Sequence, residues 1–218
     1  THKIEVADYT NRSWRLMVMA GSMGMPFIPV KDMAGSDLLN VKSFMGDNKY
    51  KIIDSPFDGA KTVLVPALNP DLAIVHVQQA DEDGNAQMWG IGGDCQVGAN
   101  AAKKVIVTCE RLVDREVIGK DPSRTIVPDF KVVAVVEEPF CAHPGYTPGF
   151  YDFDFNFGNL YKNASSTVEG FQAFLDEWVY GVTGRAKYIE HYIQKMGYGA
   201  YRNLQAKFDY GYPVSYAY

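Results

Sequence analysis

The sequence predicts an α/β fold in which a mostly parallel sheet is flanked by helices. Short apolar runs rich in β-branched residues are typical of buried strands, and they occur at residues 62–65, 73–77, 105–109 and 131–136. The last two are continuous enough to indicate strands buried on both faces. Helical patterns alternate with these runs, for example at residues 10–20 and 96–104. A length of 218 residues is ample for a sizeable core.

The first helix is expected to begin at Thr10 or Asn11 and to run to about residue 20. Gly21, Gly24 and Pro26 then mark a tight loop. This loop has two interpretations: a plain connection from helix to strand, or a segment whose backbone N–H groups approach a ligand. Residues 31–61 contain turn signals and little periodicity, which favours a functional excursion.

A turn follows the strand predicted at residues 73–77. The chain breaks at Gln78 and Gln79, and Gly84 and Asn85 tolerate the positive φ that a reversal requires. Side-chain amides therefore gather at the end of a buried strand, with Gln87 across the turn. In one interpretation they satisfy the backbone of a hairpin, and in the other they bind a ligand.

The second half of the sequence alternates helices with an irregular segment. Asp94 is a candidate N-cap for the helix at 96–104. Residues 139–157, dense in proline, glycine and aromatic residues, predict a fixed loop over the strand ends. A capping box at Ser166 and Glu169 predicts a helix with an apolar stripe up to Gly181, and a second helix is predicted at 185–196. The tail is rich in tyrosines, which predicts packing on a neighbouring subunit: Tyr198, Tyr201, Tyr210, Tyr212, Tyr216 and Tyr218.

Composition excludes several classes of function. A net charge of −5 without a basic cluster argues against a nucleic-acid partner. No apolar run approaches the ~18 residues of a membrane span, and no signal peptide begins at Thr1. The three cysteines show no CxxC spacing and the four histidines are scattered, so we expect no disulfide framework and no metal site. These features predict a cytoplasmic protein.

Acidic residues follow two predicted strands, where ligands bind in open α/β sheets. Glu110, Glu137 and Glu138 are candidate nucleophiles or bases. The alternative is that Glu110 opens a helix and that the other two simply leave the sheet. His143, between Ala142 and Pro144, is more typical of a satisfied loop histidine than of a catalytic one.

Several spaced motifs, in the same order, resemble the A (alpha) subunit of family I CoA-transferases of the glutaconate type. They are AGSMGMPFIPV, VLVPALNPDLA, HVQQADEDGNAQMWG, AKKVIVTCERLVD and VVAVVEEPFCAHPGYTPGFYDFD. The resemblance extends over essentially the whole chain. It implies a three-layer CoA-transferase/NagB-like fold and one A-type domain over residues 1–218, without the first strand and Gly-rich loop with which such proteins begin.

The resemblance also implies a function. Family I enzymes move CoA between an acyl-CoA and a carboxylic acid through a glutamate of the B (beta) subunit, so no catalytic residue is expected in this chain. A B subunit is the implied partner in a hetero-oligomer, and the CoA thioester is a substrate rather than a cofactor. The residues carried over as lining the substrate pocket are Ser22, Met23, Gly24, Gln78, Gly84, Asn85 and Gln87.

Asn11 separates two subgroups within the resemblance. Related hydrolases that open rings in steroid breakdown carry an acidic residue at this position, and an amide cannot act as a base. This favours the transferase and adds Asn11 to the substrate-binding candidates. A CoA-dependent carbon–carbon hydrolase stays open as one alternative, and a non-catalytic structural partner stays open as the other.

Overall fold

The computed structural model describes residues 4–41 and 43–206, which divide into two compact units. The first unit is drawn from Thr1–Ala73 and Gly93–Val105, and the second from Ile74–Gly92 and Ile106–Tyr218. Within the described residues, no helix is long and apolar enough to cross a membrane. The single A-type domain expected from the sequence stays a prediction.

Where the structure describes it, the first unit contains two α-helices and an antiparallel sheet. Its elements in chain order are α1 (Asn11–Ser22), β1 (Phe27–Val30), β2 (Lys51–Asp54), β3 (Lys61–Pro66) and α2 (Cys95–Ala101). Helix α1 begins as predicted, because the Thr10 side chain accepts a hydrogen bond from the backbone N–H of Ser13 at 3.0 Å. It continues past the predicted end, so Gly21 and Ser22 lie in its last turn.

The sheet of the first unit has the strand order β1-β3-β2, and both neighbours of β3 are antiparallel to it. Strand β2 lies inside the segment that the sequence predicts as irregular. All four of its residues are exposed, so it carries no burial pattern that sequence analysis can detect. Met17, Val30, Met33, Val63 and Val65 form the core of this unit.

Helix α2 packs against α1 and is shorter than predicted. Asp94 occupies the N-cap position, but its side chain makes no capping bond. Its carboxylate instead contacts the guanidinium of Arg15 at 2.8 Å. Ala99 and Ala101 are buried, as expected for a helix that lies close to its neighbours.

The second unit is built on a five-stranded sheet of order β7-β5-β4-β6-β8. Its strands are β4 (Leu72–Ala80), β5 (Ala86–Gln87), β6 (Lys104–Leu112), β7 (Thr125–Val127) and β8 (Val132–Glu137). Strand β5 is antiparallel to β4 and β7. A backbone bond from Val113 to Ala80 joins the carboxyl ends of β6 and β4, so these strands run in the same direction. The α/β prediction is confirmed, with a mixed sheet.

Two strands are longer than the sequence indicates. Strand β4 continues through Gln78 and Gln79, and β6 continues through Glu110. The interpretation of Glu110 as the start of a helix is therefore wrong, since the next helix begins at Arg115. Strand β8 lies at the edge of the sheet and is largely exposed, which corrects the expectation that it is buried on both faces.

Five α-helices complete the described part of the second unit. They are α3 (Arg115–Lys120), α4 (Phe155–Ala164), α5 (Val168–Leu175), α6 (Arg185–Met196) and α7 (Tyr198–Leu204). The bounds of α6 match the prediction, whereas α3, α4 and α7 were not predicted. Helix α5 is capped by Thr167 rather than Ser166, and it runs into a π-helical turn at Asp176–Tyr180.

The core of these helices consists of Phe157, Trp178 and Tyr192. The predicted apolar stripe is buried only in part, since Val168 and Val179 are exposed. Tyr198 and Tyr201 lie in α7. The other tail tyrosines lie outside the described residues: Tyr210, Tyr212, Tyr216 and Tyr218. Their packing on a neighbouring subunit stays a prediction.

Candidate functional site

The turn after β4 is the hairpin that the sequence predicts. Gln79 pairs with Gln87 and Ala80 with Ala86 across β4 and β5. The buried carboxylate of Asp81 holds the turn, because it accepts bonds from the backbone N–H groups of Gly84 at 2.9 Å and Asn85 at 2.8 Å. Gly84 has a φ of +108°, and a Cβ there would lie 2.7 Å from the Cβ of Val132. The sequence analysis missed the role of Asp81.

The amides beside this turn are bonded within the chain. Gln78 donates to the carbonyl oxygens of Trp89 at 2.8 Å and Pro148 at 3.3 Å. Gln79 donates to the side-chain oxygen of Gln87 at 2.7 Å. The Gln87 amide donates in turn to the Asp121 carbonyl at 2.7 Å, and Asn85 donates to Asp81 at 2.8 Å.

These contacts favour the interpretation in which the amides satisfy strand-end and loop backbone. Gln78, Gln79 and Gln87 are at most 3% exposed, so their side chains face protein rather than solvent. Direct substrate binding by Gln78, Gly84, Asn85 and Gln87 stays a prediction.

The glycine-containing turn after α1 is exposed, in contrast to the buried amides of the hairpin. Met23 is 64% exposed, and Gly24 has a φ of +69° with no atom within 4 Å of the position that a Cβ would occupy. The Ser22 hydroxyl donates to the Met19 carbonyl at 2.8 Å. This turn therefore presents the backbone at Gly24 and the Met23 side chain at a surface, and exposed glycine backbone allows close approach to a ligand.

Asn11 does not join this turn. It is exposed in the first turn of α1, whereas Ser22 closes the last turn. A 12-residue helix is about 18 Å long, so the two candidates lie at opposite ends of it. The structure thus separates Asn11 from Ser22, Met23 and Gly24 within the first unit.

Glu110 is the most deeply placed of the acids predicted at the strand ends. Its carboxylate contacts Nε2 of His76 on β4 at 2.6 Å, and the His76 Nδ1 lies 2.9 Å from the hydroxyl of Thr108. The Glu110 side chain is 3% exposed and that of His76 14%. Sequence reasoning missed this pair. Two features of the sequence could have indicated it. His76 lies inside an apolar strand, and Thr108 and Glu110 are two residues apart on the next predicted strand, which places them on the same face.

The other acids have partners as well. Glu137 accepts from the backbone N–H of Leu112 at 2.9 Å, and Glu138 lies 3.7 Å from the guanidinium of Arg185. His143 is bonded on both ring nitrogens, to the Tyr188 hydroxyl at 2.7 Å and to Asp154 at 3.1 Å. It is a satisfied loop histidine, as its sequence context indicated.

Comparisons with known proteins identify similar sequences and structures. A sequence profile described as coenzyme A transferase matches residues 1–138. The chain is 37% identical to the A subunit of glutaconate CoA-transferase from Acidaminococcus fermentans, over 97% of this chain and 68% of the relative. The crystal structure of that glutaconate coenzyme A-transferase superposes with a TM-score of 0.83 at 36% identity, over 95% of this chain and 68% of that chain.

Two further relatives carry different activities in their names. The chain is 33% identical to the A subunit of 3-oxoadipate CoA-transferase from Pseudomonas knackmussii, over 82% of this chain and 61% of the relative. It is 31% identical to the cholesterol ring-cleaving hydrolase IpdA subunit of Rhodococcus jostii, over 74% of this chain and 56% of the relative. The matched profile and the similarity to the glutaconate enzyme together show that the chain belongs to the coenzyme A transferase family.

Proposed function

We propose that this chain is the A subunit of a family I CoA-transferase and works with a B subunit. The pair moves CoA between an acyl-CoA and a small carboxylic or dicarboxylic acid. The observation that carries this proposal is the 37% identity to a glutaconate CoA-transferase A subunit over 97% of the chain.

The proposed reaction uses a glutamate of the partner. Its carboxylate attacks the thioester carbonyl, the CoA thiolate leaves, and an acyl-glutamyl anhydride forms. The CoA thiolate then attacks the glutamyl carbonyl, which releases the acid and leaves a glutamyl-CoA thioester; the acceptor acid runs these steps in reverse. The environment of Glu110 supports a catalytic glutamate on the partner rather than on this chain, because the Glu110 carboxylate is already bonded to His76 and to the backbone N–H of Phe140.

The proposed contribution of this chain is to contact the acyl-CoA substrate, and each of its two units has its own candidate residues. Ser22, Met23 and Gly24 supply an exposed turn that a thioester can approach. In the second unit, the candidate residues are Gln78, Gly84, Asn85 and Gln87 of the hairpin, whose turn is held by hydrogen bonds to Asp81. Asn11, at the far end of α1 from Ser22, is the least suited of the candidates to contact a substrate at the exposed turn.

The test is to co-express the full chain with its B-type partner and to incubate the purified pair with a panel of acyl-CoA thioesters. Each reaction is run with and without acetate or a dicarboxylic acid, and mass spectrometry follows new acyl-CoA and free CoA. We expect new acyl-CoA only when acceptor is present. Borohydride reduction during turnover should then place the modified glutamate on the partner and leave this chain unmodified.

The similarity to the ring-cleaving hydrolase favours one second candidate, a CoA-dependent carbon–carbon hydrolase. A ring-opened CoA product that forms without acceptor would establish the hydrolase and overturn the transferase. If the isolated B-type partner turned over at the rate of the pair, this chain would instead be a structural partner.

We expect Gly24→Ala to lower kcat/KM for acyl-CoA by about tenfold in the assembled pair. Alanine at a φ of +69° is strained by about 1 kcal/mol, and the turn must move to relieve that strain. No atom lies within 4 Å of the added Cβ, so the fold should persist. The measurement is steady-state kinetics together with the thermal midpoint.

Gly59→Ala is the matched control. Gly59 has a φ of +72°, no atom within 4 Å of an added Cβ, and a place in the turn between β2 and β3. The two variants should lose similar stability, but only Gly24→Ala should lose activity. Equal kinetics in the two variants would remove the turn after α1 from the proposed substrate contacts.

A further inference from the structure

The composition of strand β8 does not match its position in the sheet. Residues 132–136 are all apolar, which is typical of a strand buried on both faces. In the part of the chain that the structure describes, β8 instead lies at the edge of the five-stranded sheet, with β6 as its neighbour on one side. Val133 is 54% exposed and Val136 is 41% exposed, and these side chains lie on opposite faces of the strand. The described residues of one chain therefore do not supply the burial that this composition predicts.

The backbone of β8 leaves one edge open to another strand. The backbone N–H of Glu138, directly after β8, donates to the Cys109 carbonyl of β6 at 2.8 Å. Because the backbone groups of a strand alternate in direction, those of Val133 and Val135 point away from β6, where no described strand pairs with them. Residues 132–136 also contain no charge and no proline, which are the residues that usually protect an edge strand from pairing with another chain.

The charges at the two ends of β8 are complementary to each other. Lys131 precedes the apolar run and Glu137 follows it. In an antiparallel pair of two β8 strands with Ala134 at the two-fold axis, Lys131 of each copy lies opposite Glu137 of the other. Opposite charges across an antiparallel pair stabilise it. The same register places Val133 opposite Val135, so the backbone groups that point outward in the two copies meet.

Other registers lose one of these two features. A shift of one residue would place outward-facing backbone opposite backbone that faces β6, so no ladder of hydrogen bonds could form. A shift of two residues, centred on Val135, would keep the ladder but would place Glu137 opposite Val133, which removes the ion pairs. The register centred on Ala134 provides both the ladder and the ion pairs.

We propose that β8 is an interaction surface for a second copy of this chain, and that two copies pair their β8 strands antiparallel about a two-fold axis at Ala134. The N–H and C=O groups of Val133 in each copy bond to those of Val135 in the other, which joins the two five-stranded sheets into one. The pairing covers apolar side chains at an edge that one copy leaves exposed. It is independent of the proposed transferase reaction, because it uses neither the hairpin after β4 nor the turn after α1.

The test is a disulfide at the two-fold axis, formed in the full chain with Ala134→Cys. Opposite residues of a non-hydrogen-bonded antiparallel pair have Cα atoms about 4.5 Å apart, which is within the range of a disulfide. Val133→Cys is the matched control, since Val133 is also exposed but its Cα lies about 7–8 Å from that of its own counterpart in this register. Under mild oxidation, we expect Ala134→Cys to form the dimer at least about tenfold faster than Val133→Cys. Peptide mass spectrometry identifies the bonded cysteines.

Two results would overturn the proposal: equal rates of dimer formation in the two variants, or no cross-linked dimer of Ala134→Cys. Equal rates would show that the cysteines meet by random collision. Absence of the dimer is the result expected if a B-type partner or another segment of the full chain covers β8 instead.

Charge reversal tests the same register without an added cysteine. Lys131→Glu places acids opposite each other and should weaken self-association about tenfold in sedimentation equilibrium. Adding Glu137→Lys restores opposite charges and should recover most of the native affinity, whereas a double variant as weak as Lys131→Glu would contradict this register. Glu137 also accepts a bond from the backbone N–H of Leu112. If the loss of that bond unfolds the double variant, as its thermal midpoint would show, the comparison of the two cysteine variants decides the question.

Discussion

Replacing Asp154 with alanine is expected to lower the free energy of unfolding by about 3–5 kcal/mol, because the change leaves several buried donors without an acceptor. The Asp154 side chain is almost fully buried and accepts from three groups. These are the backbone N–H of Phe157 at 2.9 Å, Nε2 of His143 at 3.1 Å and the hydroxyl of Tyr192. Because these donors are buried, bulk water does not replace the lost carboxylate.

The protonation of His143 explains why the loss should be large. Burial lowers the pKa of His143 more than the nearby Asp154 raises it, so the imidazole is neutral at pH 7. The Tyr188 hydroxyl donates to its Nδ1 at 2.7 Å, which leaves Nε2 as the donor to Asp154. Removing the carboxylate therefore disconnects a chain of hydrogen bonds, and it also removes the N-cap of α4.

Three variants separate these contributions in urea unfolding. Asp154→Asn keeps one acceptor oxygen and should lose less stability than Asp154→Ala. Tyr192→Phe removes a single donor and should cost about 1 kcal/mol. Asp83→Ala breaks an exposed ion pair with Arg115 and should cost about 0–1 kcal/mol. A loss in Asp154→Ala no larger than that in Asp83→Ala would contradict the network.

The same network predicts how the difference between the native chain and Asp154→Asn varies with pH. Burial raises the pKa of Asp154, but bonds from Tyr192, Phe157 and His143 outweigh burial and lower it. A carboxylate with a lowered pKa stabilises the fold above its unfolded pKa of about 3.9, and this stability is lost as the pH falls through the folded value. The advantage of the native chain over Asp154→Asn should therefore be full at pH 7 and shrink in acid.

Local signals explain which parts of the fold the sequence could predict. Thr10 caps α1 through a bond that spans three residues, and the Gly84 turn depends on Asp81 and Asn85 beside it. Helix α6 carries its own periodic pattern, and its bounds agree with the prediction. In each case the residues that determine the structure are neighbours in the sequence.

The networks that organise the second unit could not be predicted in this way. Asp154 and Tyr192 are hydrogen-bonded although they are 38 residues apart in the sequence, and His76 and Glu110 are in contact although they are 34 residues apart. A buried polar side chain does not raise the helix or strand propensity of the segment that contains it. The neighbouring sequence therefore does not reveal its hydrogen-bond partner. The same limit applies to β4 and β6, because their polar ends are stabilised by partners on other strands and loops.

Replacing Gly21 with alanine is the second large effect that we expect, with a loss of about 2–3 kcal/mol in the free energy of unfolding. The sequence left two interpretations open for the loop that contains Gly21, and the structure shows a packing role for this residue. A Cβ at this position would lie 2.2 Å from the carbonyl oxygen of Leu68 and 2.9 Å from the side-chain oxygen of Asn69. The backbone N–H of Leu68 is bonded to the Met17 carbonyl at 2.9 Å, one turn earlier in α1. The segment after β3 therefore cannot retreat from an added methyl group without loss of that bond.

Gly98→Ala in α2 is the matched control for this prediction. Gly98 is also a helical residue of the first unit, but no atom lies within 4 Å of an added Cβ. Alanine should therefore stabilise the helix by about 0.5–1 kcal/mol, and urea unfolding should show the two variants moving in opposite directions. A Gly21→Ala variant as stable as Gly98→Ala would contradict the close contact with Leu68. It would also add Gly21 to the residues of this turn that are proposed to contact substrate, which are Ser22, Met23 and Gly24.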